Sequence, residues 1–277
     1  MAKTTGSDDE KEVVTVTSAD GTEIAYEQSG SGPPLVLVHG AIFDRAIWEL
    51  GDVRSTFAEQ TTVYAMDRRN HGDSESSDAI SPEAQFADVV AVVESIDGPV
   101  HLLGHSAGAN FALGAAPRTD NLRSLILHEP FGPSEERVAG IEETIAEMLA
   151  LLDAGQNEQA LALFLDDVAQ FASDELDEIR SAPIWDAHVE TFPHTLLPLL
   201  EAGGEYEWDL TPFADLSTPT LLPVGSESGH LKDMNEGLHD TLPNSRLATF
   251  EGHGHAAHLV APDRYTDEVL SFISAAD

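Results

Sequence analysis

Gly104-His105-Ser106-Ala107-Gly108 is a G-x-S-x-G run, with apolar Val100-His101-Leu102-Leu103 before it and helix-forming Ala109 to Ala116 after it. A serine hydroxyl is a poor nucleophile until a base takes its proton and the backbone exposes it sharply. A strand-to-helix turn does the second job. It forces the serine into a strained conformation, and the flanking glycines let backbone pass close by. The chemistry open to such a serine is attack on a carbonyl carbon. Candidate bases crowd the far end of the chain in His253-Gly254-His255-Ala256-Ala257-His258.

The elements that must carry these groups are legible from their patterns. Val13 to Thr17 and Thr22 to Tyr26 read as strands joined near Asp20-Gly21, a hairpin signal. The apolar runs Leu35 to Val38, Thr62 to Met66, Val100 to Leu103, Leu125 to Leu127, Leu221 to Val224 and Leu247 to Phe250 read as buried strands. Pro223 weakens the run Leu221 to Val224, because proline cannot donate to a ladder. Helical spacing of Phe86, Val89, Val90, Val93 and Ile96 behind Ser81 predicts a capped helix from Pro82, and another follows from Pro262 to Ile273. Strands alternating with helices imply a mostly parallel sheet covered on both faces. The segment 131–213 breaks that alternation: it is rich in Glu, Ala and Leu, as in Ile141, Ile145, Met148 and Leu152, and reads as a helical cap inserted between core segments 13–130 and 214–277. Residues 1–12 are polar and read as disordered.

In such sheets, reacting groups gather beyond the carboxyl ends of the strands. His39-Gly40-Ala41, Asp67 to Ser74, the Gly104 to Gly108 run, His128-Glu129-Pro130, Gly225-Ser226-Glu227-Ser228 and Glu251 to His255 all fall there. Every strand end supplies a polar group or a glycine.

Composition narrows the classes. Fifty Asp and Glu face thirteen Lys and Arg, a formal net charge of −37, and the acids are spread along all 277 residues. Self-repulsion of that size works against a compact state in dilute buffer and is screened in molar salt, which suggests adaptation to a salt-rich cytosol; the rival reading is an acidic surface for a basic partner. Nucleic acid and anionic membrane are disfavoured as ligands. There is no cysteine, so disulfides and thiolate chemistry are excluded. No apolar leader or membrane-length run is present, and a cytoplasmic protein is expected. Spacings of two and three do not place His253, His255 and His258 on one regular face, so no metal is expected; no dinucleotide or phosphate-loop motif is present, so no cofactor is expected either.

From His39-Gly40, from Asp67-Arg68-Arg69-Asn70-His71-Gly72-Asp73-Ser74, from the serine run and from Gly254-His255 with Pro262 beyond, the chain resembles the alpha/beta-hydrolase superfamily, and within it esterase-like members with a helical cap. The resemblance implies an eight-stranded, mostly parallel sheet and a triad in the order serine, acid, histidine. Asn70 stands where relatives carry glycine, and asparagine is the residue that best tolerates left-handed backbone there.

By that resemblance Ser106 is the nucleophile and His255 the base, with His253 a loop residue and His258 one turn further on, lining the pocket. The usual position for the acid is Ser228, which carries no charge. Glu227 is taken as the acid, Glu129 as the alternative and Asp233 as a third. The backbone N–H groups of Ala41 and Ala107 are expected to form the oxyanion hole. Asp67 and Arg68 read as a structural pair bracing loops. Phe43, Phe131, Trp185 and His188 are candidates for the pocket, with Trp48 assigned to the core.

The implied activity is a cofactor-independent hydrolase cleaving a small-molecule ester, thioester or lactone through an acyl-enzyme. Carbon–carbon bond hydrolysis, acyl transfer and perhydrolysis use the same groups. A non-catalytic ligand-binding protein on this fold is the alternative, favoured by the displaced acid.

Overall fold

A computed structural model describes residues 13–131, 135–204 and 209–276; the disorder expected of residues 1–12 lies outside them. Eight strands form one sheet: β1 (Val13–Thr17), β2 (Glu23–Gly30), β3 (Pro34–Val38), β4 (Thr62–Met66), β5 (Val100–His105), β6 (Leu122–His128), β7 (Thr220–Gly225) and β8 (Ser245–Phe250). Their order is β1-β2-β4-β3-β5-β6-β7-β8. β1 and β2 pair antiparallel with their neighbours, and the rest of the sheet is parallel. The hairpin turns at Gly21, whose φ of 95° only glycine takes freely.

Burial on both faces explains the continuous apolar runs. Along β3, Leu35 and Leu37 join one core cluster, while Val36 and Val38 join the other. Helix α1 (Val53–Ala58) and a C-terminal helix, Pro262–Ala276, cover the first face; α2 (Pro82–Glu94) and α3 (Ala107–Ala115) cover the second. Ser81 caps α2 as its position predicts, accepting the Ala84 N–H at 3.3 Å. Helix α3 starts at Ala107, two residues earlier than the apolar pattern shows, because the serine turn leads directly into it.

Between β6 and β7 run α4 (Glu135–Asp153), α5 (Asn157–Leu163), a π-helical turn (Phe164–Val168), α6 (Ser173–Ser181) and α7 (Trp185–Gly204). No strand occurs among the described residues of this segment.

Proline 223 does lie in β7, opposite Ala248 of β8. On the other side, β6 and β7 pair only at Leu125–Thr220 and Ile126–Leu221. The ladder has therefore ended before Pro223, where a missing N–H costs nothing, and the two strand ends separate.

Candidate active site

The parting of β6 from β7 and the turn after β5 build the site. Ser106 leaves β5 with φ 55° and ψ −123°, a conformation that L-residues seldom adopt. Its N–H donates to His128 O at 2.8 Å, and its carbonyl accepts from Ala109 at 2.9 Å. Glycine is required on both sides. A Cβ on Gly104 would come within 2.3 Å of Gly108 O, and one on Gly108 within 2.3 Å of Val38 O.

His255 follows β8 and is 2% exposed. Its Nδ1 lies 2.6 Å from Oε2 of Glu129. The carboxylate that meets this histidine is therefore that of Glu129, beyond β6, and not that of Glu227. Glu227 is exposed, and its backbone N–H donates to His253 O at 3.0 Å. Asp233 lies in the first turn of α8 (His230–Thr241). The physical reason is the strand separation. Glu129, fully buried with φ 51°, turns into the gap, where its Oε1 accepts from the Gly225 N–H at 2.6 Å and from the Ser228 hydroxyl. Ser228, the residue at the usual acid position, thus serves as a donor to a carboxylate arriving from the neighbouring strand. Burial pushes the Glu129 carboxyl up to about 8, while the Ser228 hydroxyl and Gly225 amide act in the opposite direction.

The loop after β3 lies against the serine: a Cβ on Gly40 would approach Ser106 Cβ at 3.4 Å. Arg68 fixes it by donating to Gly40 O and to Ala41 O, both at 2.8 Å. Asp67 instead pairs with Arg45 and accepts the Arg45 and Asp73 N–H groups at 2.8 and 2.9 Å. Both residues brace loops, but not as each other's partner. Asn70 adopts φ 65°, as its residue type allows. Its side chain bonds the Ser77 backbone through both amide atoms.

Behind His255 lies a group of rings that chain order does not reveal. His105 packs, with its ring tilted, 4.7 Å from His255, 4.6 Å from His128 and 4.5 Å from His258, by ring centroids. His105 Nε2 donates to His255 O at 3.0 Å, since a carbonyl can only accept. His258 is fully buried against Trp48 and His105 and does not line the pocket, contrary to the sequence reading. Nitrogens of His105, His128 and His258 fall within 4.8 Å of one another. Burial holds all three well below the usual histidine range, so they pack as neutral rings.

Ser106 and His255 open onto one pocket of about 240 Å³. Among the described residues, the rest of its wall is Ala41, Phe131, Ile145, Phe164, Val168, Ala169, Leu196, Leu199, Leu200 and Leu231, none of them charged. Most of that wall comes from the segment between β6 and β7. The π-helical turn supplies Phe164 and Val168, and α7 supplies Leu196, Leu199 and Leu200. Among the other pocket candidates, Phe43 and His188 pack edge to face at 5.0 Å around a neighbouring recess. Trp48 and Trp185 belong to the core.

Comparison with known proteins agrees with this architecture. The chain is similar to a putative esterase/lipase of Haemophilus influenzae, 24% identical over 90% of this chain and 85% of that one. A solved alpha/beta hydrolase from Sphaerobacter thermophilus superposes with a TM-score of 0.76 at 30% identity, over 94% of this chain and all of that one. The esterase RhEst1 from a Rhodococcus species superposes equally well, at 0.76, with 22% identity over 96% and 99% of the two chains. A family model described as the alpha/beta hydrolase family matches residues 35–268, and with the sheet order and the serine turn already established, this chain belongs to the alpha/beta hydrolase family.

Proposed function

We propose that the protein is a serine esterase in which Ser106 is the nucleophile, His255 the general base and Glu129 the supporting acid. One observation carries the reading: a serine on a strained turn and a histidine paired with a buried carboxylate share a single apolar pocket. Ser106 Oγ attacks the ester carbonyl as its proton passes to His255 Nε2, and the carbonyl electrons move onto oxygen. The backbone N–H groups of Ala41 and Ala107 are the donors for that oxyanion. Collapse expels the alkoxide, which takes the proton from Nε2 and leaves the acyl group on Ser106. Water then repeats the sequence and frees the acid. Glu129 holds the proton on Nδ1 throughout and stabilises the imidazolium.

The wall of the pocket selects the acyl group. A cavity of about 150 Å³ holds benzene, so 240 Å³ accommodates roughly ten non-hydrogen atoms. A charged carboxylate or a sugar would lose its hydration there, and none of the described lining residues carries a charge to offset that. The substrate class is thus an ester of a short to medium apolar acid. The non-catalytic alternative rested on a displaced acid, and the Glu129–His255 contact removes that ground.

The test is hydrolysis of p-nitrophenyl esters of graded chain length in molar potassium chloride, with Ser106→Ala as control. Turnover that peaks at short to medium chains and vanishes in Ser106→Ala supports the reading. Turnover that persists in Ser106→Ala refutes it.

A further inference from the structure

A second buried carboxylate approaches the histidine loop, from the helical segment rather than from the sheet. Glu175 of α6 is fully buried. Its Oε2 accepts the Ala172 N–H at 2.9 Å, as a glutamate in the first turn commonly does for its own helix. Its Oε1 leaves that helix and accepts the Gly254 N–H at 3.0 Å. The Ala256 N–H is a further donor to the same carboxylate. Between them, the His255 N–H points to Gln170 O at 3.4 Å, where Gln170 itself takes a φ of 60°. Three consecutive amides of the histidine loop are thus directed at oxygens of the segment between β6 and β7. Phe171 of the same segment packs edge-on against the His255 ring at 5.6 Å.

Steric fit shows how closely the two parts meet. A Cβ on Gly254 would lie 2.8 Å from Ala172 N, 2.8 Å from Glu175 Oε2 and 2.9 Å from Gln170 O. Only glycine allows the histidine loop to lie this near. Capping α6 needs one carboxylate oxygen. Nothing in that role requires the second to cross to another part of the fold, or the group to be sealed from solvent at the cost of desolvation.

We propose that Glu175 is a positioning residue for His255, holding the backbone on both sides of it so that the placement of the ring depends on the seating of α6. The proposal rests on the esterase reading above, in which His255 is the base. Displacement of a reacting group by about 1 Å costs on the order of a hundredfold in rate. Loss of Glu175 therefore acts on the chemical step and spares substrate binding, because Glu175 is not part of the pocket wall.

The test measures the rate at which a fluorophosphonate probe labels the full chain in molar potassium chloride, for wild type, Ser106→Ala, Glu175→Ala and Glu175→Gln. Steady-state kinetics on a p-nitrophenyl ester and the Tm of each variant accompany it. Expected for Glu175→Ala is labelling and kcat about 10- to 100-fold lower, with KM within about threefold of wild type. Glu175→Gln keeps one acceptor oxygen for Gly254 and recovers part of that loss; being isosteric, it carries the test if the alanine variant does not fold. A variant with lower Tm but wild-type labelling marks Glu175 as a structural strut and overturns the proposal. Variants indistinguishable from a labelled wild type overturn it as well. A wild type that fails to label overturns the esterase reading itself, and this inference with it.

Discussion

Oε2 of Glu129 lies 2.6 Å from Nδ1 of His255, across 126 positions of the chain. The contact joins the ends of β6 and β8 over the gap left where β7 turns away. Replacing Glu129 by Gln preserves the shape and removes the charge that holds the imidazole tautomer. We expect kcat/KM to fall by about 10²- to 10⁴-fold. Glu227→Gln, at an exposed position, is expected to stay within about twofold of wild type. Ester hydrolysis by the two variants, measured side by side, decides between the carboxylates.

The same pair sets a pH dependence. In the proposed reaction the active form holds one proton, on Nδ1, and a second proton anywhere on the pair stops His255 from accepting one from Ser106. Burial pushes the Glu129 carboxyl up to about 8, so the pair keeps its second proton to high pH. A profile of kcat/KM that rises from about pH 6 and levels above about pH 8 is expected. A profile flat from pH 6 upward would contradict it.

Stability runs the other way. Burial raises Glu175 from 4.5 to about 7, with the charge of Glu129 adding to the effect. A carboxyl whose pKa is higher folded than unfolded contributes stability below about pH 4.5 and loses it as pH rises through 7. Glu175→Gln does not titrate. Between about pH 5 and pH 8, its stability relative to wild type should therefore improve by up to about 3 kcal/mol. Urea denaturation at a series of pH values measures this slope.

The serine turn admits no side chain at Gly104. An added methyl would meet Gly108 O at 2.3 Å, and that oxygen is backbone held between β5 and α3. Gly104→Ala should cost about 3 kcal/mol and abolish labelling of Ser106. Wild-type Tm in this variant would show that the turn relaxes without loss.

Pocket length is adjustable from α7. Leu196 is 1% exposed and lines the pocket, so Leu196→Ala deepens it by about three carbons' worth of space. Chain-length preference among p-nitrophenyl esters should move by two to three carbons, at a stability cost of about 2–5 kcal/mol. An unchanged optimum would mean that the acyl chain lies elsewhere.

All eight strands were legible because apolar runs and glycine punctuation are local signals, and Asn70 could be read as left-handed because it stands where the resembling family carries glycine. The carboxylate was harder. Glu129 and Glu227 both follow strands, and choosing between them requires knowing where β6 and β7 stop pairing, a non-local fact that only Pro223 hints at. The cluster of His105, His128 and His258 gathers from the ends of β5 and β6 and from a short helix, Ala257–Val260, and leaves no periodic trace. Glu175 lies in a helix pattern that predicts a solvated face, whereas its burial comes from a loop 79 positions away.

The opening between β6 and β7 has one more implication. Ser228 and Gly225, on one bank, grip an anion rooted on the other, so the anion's berth is defined by the space and not by the strand that fills it. Exchanging the residues at 129 and 228, with Ser228→Asp beside Glu129→Ser, would carry the negative charge across without disturbing the imidazole. The two changes are expected to be coupled, because either one alone leaves two facing carboxylates or none in that space.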